Sequence, residues 1–516
     1  MRVEGLIDNF CAWLHSFAPV AGAMNTAKLH LPLLDSFVEN PNDHARAVAD
    51  PAMKGGYFLD VDVARIDEVR DLRHTITENN KAAIALANAI AEAEQLLRDE
   101  ATGYGMSELY ARLPEEVRGC AELVYDLDHH PQLRFMEALL YRTPVHRPAR
   151  ESIDLSVDDG SSPPFILSTP RLPAAGHLQL PLRLADPAID TLFACERAGR
   201  PADELADLLG VGPDQRDLLL SLLTPERPLV EGRHVTEGAR IRYFGHACIL
   251  LQTPSVAILV DPFISSDTAA GDRLTYADLP DRIDYVLITH GHQDHIVMET
   301  LLHIRNRVDL VVVPRSGSGF RQDPSIRLFL EAAGFHVREV DDFDVVPFAD
   351  GSITATPFLG EHCDLDIRAK TTYWVDLAGK RVFVGADSSG LDRELYARIR
   401  AVLGPADIGF VGMECDGAPL TWLYRPLFTR PIPRKLSETR KLSGSNAAQA
   451  LGIVQELGIT QAFVYAMGEE DWLQHVMATS YTPDSYQLQE VDEFLLMCKR
   501  EGIEAEHLLR HRELSW

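Results

Sequence analysis

HGHQDH, residues 290–295, follows the apolar run YVLIT at 285–289 and puts three imidazoles and one carboxylate within six residues. Aromatic and β-branched residues in that run predict a strand whose end delivers the histidines into a loop. Protonated imidazoles so crowded repel one another unless a metal ion replaces the protons, and a buried neutral histidine usually occurs singly. The stretch is therefore expected to bind metal.

Outward from this loop the chain reads as short β-rich runs broken by Gly, Asp and Pro. They include ARIRYFG (239–245), CILLQT (248–253), VAILVDPF (256–263), DLVVVP (309–314), TYWVDL (372–377), RVFVGAD (381–387), IGFVGM (408–413) and QAFVYAM (461–467). Helical stretches separate many of them, so residues 237–516 are expected to form one layered α/β domain. No period of 20–50 residues recurs, which excludes a solenoid or propeller.

Upstream, residues 1–186 read as a mainly helical α+β domain, most clearly at 80–100, NKAAIALANAIAEAEQLLRDE. The passage DDGSSPPFILSTPRLPAAG (158–176) reads as a long loop marking a seam. Residues 187–236 suggest a small winged-helix-like segment, with helical patterns split at Gly210-Val211-Gly212-Pro213. Its second helix opens with Asp214, Gln215, Arg216 and Asp217, and anionic residues there oppose contact with DNA phosphates. Packing or partner docking is the expected role.

The whole chain, 516 residues with 49 Lys+Arg against 77 Asp+Glu, carries a net charge of −28, a field that disfavours nucleic acid as a partner. No apolar run approaches the ~20 residues of a membrane span, and Glu4 and Asp8 argue against a secretory signal. A cytoplasmic protein is expected. Seven scattered cysteines without a CxxC pair argue against a disulfide framework and a thiolate zinc site. One stretch, 425–441, reverses the balance with Arg425, Arg430, Arg434, Lys435, Arg440 and Lys441 opposed only by Glu438.

The HxHxDH pattern after a strand, behind YFGHACILLQTPSVAILVDPFIS (243–265), resembles the metallo-β-lactamase superfamily. That resemblance implies a C-terminal αββα sandwich with a dinuclear site. Asp261 takes the place of a residue that orients a ligand histidine by accepting its ring N–H. His246 is either a site residue around the ligands or a hairpin residue. Further ligands are expected at later strand ends: Asp387 as a bridging carboxylate and His475 as the terminal imidazole, preferred to His507 and His511. In the loop PFLGEHCDLD (357–366) both Glu361 and His362 qualify, and neighbours on an extended loop are expected to point in opposite directions. With His362 the set is that of a dizinc hydrolase. With Glu361 a third carboxylate adds hard anionic oxygen, which favours iron.

Four segments narrow the resemblance: GEHCDLDIRAK (360–370), VGADSSG (384–390), GMECDGAPLTWLY (412–424) and YAMGEEDWLQHV (465–476). Together they resemble the dinuclear-iron β-hydroxylases of nonribosomal peptide synthesis. By that resemblance one iron takes His290, His292 and Glu361, the other takes Asp294, His295 and His475, and Asp387 bridges. His362, His246 and Asp261 then surround the ligands. The implied reaction is O2-dependent monooxygenation at the β-carbon of an amino acid held as a thioester on a peptidyl-carrier domain. Its cofactors are two Fe ions, with two Zn in the hydrolase alternative (thioester, lactone or phosphodiester as substrate). O2 is the cosubstrate. No flavin or ferredoxin motif is present, so an external electron donor, a separate reductase, is expected. Arg430, Arg434 and Lys435 would meet the phosphate of the carrier's phosphopantetheine arm. Ser443 and Ser445 of SGSNA (443–447) would supply polar contacts, or Ser445 would cap a helix. The N-terminal region, without catalytic signature, suggests a homodimer.

Overall fold

The structure, a computed structural model, describes residues 1–158, 162–225, 233–266, 271–317 and 319–516. Its C-terminal half is built on two seven-stranded sheets. In spatial order the first sheet runs Val337–Val340, Val308–Pro314, Ile283–Leu287, Ala257–Val260, Cys248–Gln252, Arg240–Gly245 and Arg512–Ser515. The second runs Val345–Phe348, Gly351–Thr356, Thr372–Leu377, Lys380–Val384, Ile408–Gly412, Gln461–Tyr465 and Glu504–His507. Each sheet opens with antiparallel hairpins and continues into parallel strands.

The alternation seen in these runs explains the layering, because successive side chains leave opposite faces of a strand. Ile249, Leu251, Ile258 and Val260 of the first sheet meet Tyr373, Val375, Val382 and Val384 of the second in a dry inter-sheet core. On the outer face of the second sheet lie the helices Arg393–Leu403, Ala447–Leu457 and Tyr486–Glu501, packed through Tyr396, Ile453, Val454 and Phe494. The result is the expected αββα sandwich.

The outer face of the first sheet is covered partly by the N-terminal half. The helix Pro187–Ala198 contributes Ile189, Leu192 and Phe193 to the core that also holds Leu250, Leu259, Val286 and Val311. The N-terminal half contains the expected long helix, Lys81–Glu100, and a four-stranded antiparallel sheet in the order Phe10–Cys11, Arg2–Ile7, Glu151–Ser156, Leu178–Leu180. In the passage expected as a seam, the described residues 162–176 hold no strand or helix, but Leu167, Ser168, Thr169 and Arg171 are buried there. Arg171 makes a two-pronged bond to Glu4, 2.7 Å at each oxygen, which ties that passage to the first strand. Downstream the helices Pro187–Ala198, Ala202–Leu208 and Arg216–Ser221 are present. Residues 226–232, where a wing hairpin would fall, lie outside the described residues.

Candidate metal centre

Most candidate ligands follow strands of the sandwich, whereas Glu361 and His362 form a short ladder with Leu442–Ser443 and His475 lies on a helix. His290 to His295 follow Ile283–Leu287, His246 follows Arg240–Gly245, and Asp387 follows Lys380–Val384. Several turns there carry left-handed backbone on residues other than glycine: His246 (φ 50°), Asp261 (φ 38°), Glu361 (φ 68°) and Ala386 (φ 44°). Such conformations cost of order 1–3 kcal/mol each and persist where surrounding structure imposes them, typically at functional sites.

Three groups of ligand-type atoms come together. The first joins His290, His292, Glu361 and His362. The second joins His246, Asp294 and His295. The third joins His290, His295 and Asp387, so Asp387 lies between the other two. Its Oδ2 is 3.1 Å from His295 Nε2 and 3.5 Å from His290 Nε2.

Asp261, fully buried, accepts from the Thr289 N–H at 2.8 Å, from Thr289 Oγ1 at 2.6 Å and lies 2.9 Å from His295 Nδ1. With Nδ1 engaged there, His295 turns its Nε2 toward Asp387 and Asp294. That ring nitrogen is buried and has no hydrogen-bond partner among the described residues. The same is true of His246 Nδ1, Glu361 Oε2 and His362 Nδ1. Buried polar atoms are nearly always satisfied, and although Glu361 Oε2 and His362 Nδ1 lie 2.9 Å apart, these unsatisfied atoms on the ligand-type residues fit bound cations.

The electrostatics agree. Burial, then the neighbouring His295 and His292, hold His290 well below its usual value, leaving it neutral. Burial and crowding likewise take His362 to about 4. Burial alone would raise Glu361, but the His292 and His362 rings hold it well below the usual carboxylate range. Burial also opposes charge on His295, yet Asp387, Asp294 and Asp261 together drive it well above the usual value. The carboxylates demand positive charge at this point, which a metal ion supplies as readily as a proton.

Two expectations need correction. His475 is absent from all three groups; it lies in the short helix Gln474–Met477 with Nε2 3.2 Å from Glu299 Oε2. His246 occupies the position assigned to it, with Nε2 3.1 Å from Asp294 Oδ2. Glu361 and His362, in turn, do not diverge. Left-handed backbone at Glu361, Cys363 and Asp364 curls the loop so that both side chains face His292, Glu361 Oε1 at 3.2 Å from Nδ1 and the His362 ring at 4.4 Å between centroids.

The metal groups open into a cleft of about 340 Å³ lined by His292, Asp294, Glu361 and Asp387 on one side. Sequence reasoning missed several of its other features. Glu414, two residues beyond the strand Ile408–Gly412, lines the cleft, and burial together with Asp387, Asp294 and Glu361 pushes its carboxyl well up. Its place just past a strand end, like the ligands', was the available signal. Lys54 reaches in from the N-terminal half and donates to Gln474 Oε1 (2.5 Å), Thr479 O (3.1 Å) and Ser480 Oγ (2.7 Å). Tyr424 OH, fully buried, lies 3.0 Å from His292 Nε2. Nothing local in sequence marked either residue.

The remaining assigned residues lie apart from the ligands. Ser443 pairs with Glu361 in a two-stranded ladder that holds the loop. Ser445 Oγ accepts the Gly390 N–H at 3.0 Å and is fully buried, so it fixes the turn after Asp387 instead of facing the cleft. The helix Ala447–Leu457 is capped by Asn446, whose side chain accepts from Gln449 N, and not by Ser445. Arg430 and Arg434 line a separate groove, and Lys435 is exposed beside it.

An αββα sandwich holding two adjoining histidine–carboxylate groups at its strand ends defines a dinuclear metalloprotein of the metallo-β-lactamase fold. Residues 257–462 match the family model of the β-lactamase superfamily domain, and residues 1–228 match that of the diiron non-heme β-hydroxylase N-terminal domain. The chain is 31% identical over 523 residues to the 4-amino-L-phenylalanyl-[CmlP-peptidyl-carrier-protein] 3-hydroxylase of Streptomyces venezuelae, covering 100% of this chain and 98% of the relative. The crystal structure of CmlA, a diiron β-hydroxylase from Streptomyces venezuelae, superposes with a TM-score of 0.92 at 31% identity, covering 100% of this chain and 98% of that one. A metal-dependent hydrolase of Christiangramia forsetii is 26% identical over 158 residues, 27% of this chain and 65% of the relative. The chain belongs to the diiron non-heme β-hydroxylases. No helix among the described residues is long and apolar enough to cross a membrane.

Proposed function

We propose that the protein hydroxylates the β-carbon of an amino acid tethered as a thioester to a peptidyl-carrier domain. The observation that supports this most directly is the Glu361 carboxylate inside the group formed with His290 and His292. In this reading one iron is held by His290, His292 and Glu361, the other by His246, Asp294 and His295, with Asp387 shared. Bound iron supplies the redox chemistry that inserts oxygen from O2 into the C–H bond, with electrons from an external reductase. The chain's own residues set the geometry. Asp261 orients His295, Tyr424 orients His292, and Lys54 draws the 474–480 segment over the cleft. Trp422, Leu442 and Met477 give that cleft apolar lining beside the ligands, which limits water there. Arg430, Arg434 and Lys435 remain the proposed contacts for the incoming carrier. The reading also includes a cytoplasmic setting and a homodimer through the N-terminal region, which solution scattering would test.

His362, a member of the same group, keeps a dizinc hydrolase as the second reading. The full-length likeness to a hydroxylase weighs against it. The test uses protein purified as expressed, assayed for metal and then given reductant, O2 and a panel of aminoacyl carriers. Two irons per chain and an added oxygen atom on the aminoacyl group are expected. Two zincs with O2-independent thioester cleavage would refute the proposal. Glu361→Ala should lose iron while His362→Ala retains it.

A further inference from the structure

A groove of about 670 Å³ adjoins the metal cleft across the segment 417–422: Ala418 and Trp422 line the cleft, whereas Pro419 and Thr421 line the groove. Four cations surround the groove. Arg425, Arg430 and Arg434 come from the catalytic half, and Lys28 comes from the N-terminal half, on the π-helical turn Thr26–His30. Phe428, Pro431 and Ile432 supply apolar lining between them.

The charge state of this groove is unusual for the chain. Carboxylates outnumber Lys+Arg by 77 to 49, and exposed arginines elsewhere commonly have acidic partners, as Arg70 has Asp67, Arg112 has Glu100 and Arg393 has Glu456. Lys28, Arg425 and Arg430 are exposed and have no acidic partner among the described residues; Arg434 shares Glu438. Three unpaired cations held together on a chain of net charge −28 repel one another, and an anionic occupant relieves that repulsion. The apolar lining argues against a small free anion alone, which gains nothing from Phe428 and Ile432.

We infer that this groove is the docking surface for the peptidyl-carrier domain. Its cations would meet the carrier's acidic surface and the phosphodiester of its phosphopantetheine arm, and Phe428 and Ile432 would take an apolar residue of the carrier. The inference rests on the function proposed above and adds Lys28, which sequence reasoning did not assign to docking. It also makes docking a joint property of the two halves, because the groove is incomplete without Lys28.

The test uses full-length iron-loaded enzyme and the carrier whose aminoacyl form is hydroxylated in the preceding experiment. Association is followed by stopped-flow with the phosphopantetheinylated carrier. The triple variant Lys28→Glu, Arg425→Glu, Arg430→Glu should associate about tenfold or more slowly and lose most of the salt dependence seen in the wild type. Its iron content and Tm should match the wild type. A control with the same change in net charge, Arg398→Glu, Lys499→Glu, Arg500→Glu, on the outer helices of the second sheet, should associate at close to the wild-type rate. Equal slowing in both triple variants, or none in the groove variant, would overturn the docking assignment while leaving the hydroxylase reading intact. Failure of the wild type to hydroxylate any aminoacyl carrier would overturn both.

Discussion

The fold carries two histidines that follow strands to different places: His246, which the sequence left between a residue around the ligands and a hairpin residue, joins Asp294 and His295, whereas His475, expected as the terminal ligand, does not. His246 follows Arg240–Gly245 at once, on a left-handed turn whose N–H is held by Glu470 Oε1 at 2.7 Å. His475 lies ten residues beyond the strand end at Tyr465, after a turn at Ala466, a 3-10 turn over Asp471–Leu473 and the start of the helix Gln474–Met477. That excursion carries its ring away from the ligands to Glu299 and its backbone carbonyl to the Ile166 N–H. The imidazole that the strand itself delivers lies within reach of Asp294 and His295. The one given first to a helix joins the contacts between the two halves.

The largest effect that would break this comparison is on metal content. Removing a ligand to one ion of a pair takes away most of that ion's binding free energy, so His246→Ala should fall from about two irons per chain to about one. His475→Ala should keep both irons and lower Tm instead, since it leaves Glu299 Oε2 without its imidazole partner and touches no ligand. Elemental analysis and calorimetry on the two variants decide it. The reverse pattern would restore His475 as the ligand and make His246 the structural residue.

The second test concerns the polar network around His475. Glu4 and Arg171 are both buried, and the pair lies next to the Glu299–Arg2 contact. Burial would raise the Glu4 carboxyl, but Arg171 holds it down at about 2. A carboxyl depressed in the folded state stabilises the fold above its unfolded value, about 4.3, and loses that contribution as pH falls through the folded value. Stability should therefore drop between about pH 4.5 and pH 2, and Glu4→Gln should flatten that part of the profile. At neutral pH, Arg171→Ala leaves a buried carboxylate alone and should cost about 3–5 kcal/mol in denaturant unfolding, with the diiron site intact in the fraction that stays folded. An unchanged profile in Glu4→Gln would show that the pair is solvated in solution.

How much of this was legible in the sequence follows from distance along the chain. The 290–295 loop was readable because four candidate ligands, three His and one Asp, arrive within six residues after one strand, and Asp387 because it lies just past another. The face taken by His362 was not, since it depends on three left-handed residues that the identities of Glu361, Cys363 and Asp364 do not announce. The N-terminal sheet was equally hidden. Arg2–Ile7 pairs with Glu151–Ser156, so neither strand meets its partner until most of that half has folded. Lys54 and Lys28 were silent for the same reason, because their significance lies in what the other half brings to them.

Tyr424 gives the finest test of that dependence. It lies on the short helix Leu420–Tyr424, whose pattern LTWLY reads as ordinary core, and it is fully buried with its ring 5.9 Å from that of His15 in the N-terminal half. His292 turns Nδ1 toward Glu361 and His290, which leaves Nε2 to face the Tyr424 hydroxyl at 3.0 Å. A ligand imidazole whose second nitrogen is hydrogen-bonded is fixed in tautomer and orientation, and losing such a partner typically costs 10–100-fold in metal affinity, about 1.4–2.7 kcal/mol. Tyr424→Phe keeps the ring packing and removes only the hydroxyl. It should release iron to a competing chelator by about that factor, with Tm of the metal-free protein nearly unchanged. Gly291 sharpens the point, since a Cβ there would meet Leu14 Cδ2 at 2.7 Å, so the N-terminal half presses directly on the metal loop. If Tyr424→Phe holds iron as tightly as the wild type, that packing alone orients His292; if it does not, the hydroxyl against His292 sets the ligand that the sequence made easiest to find.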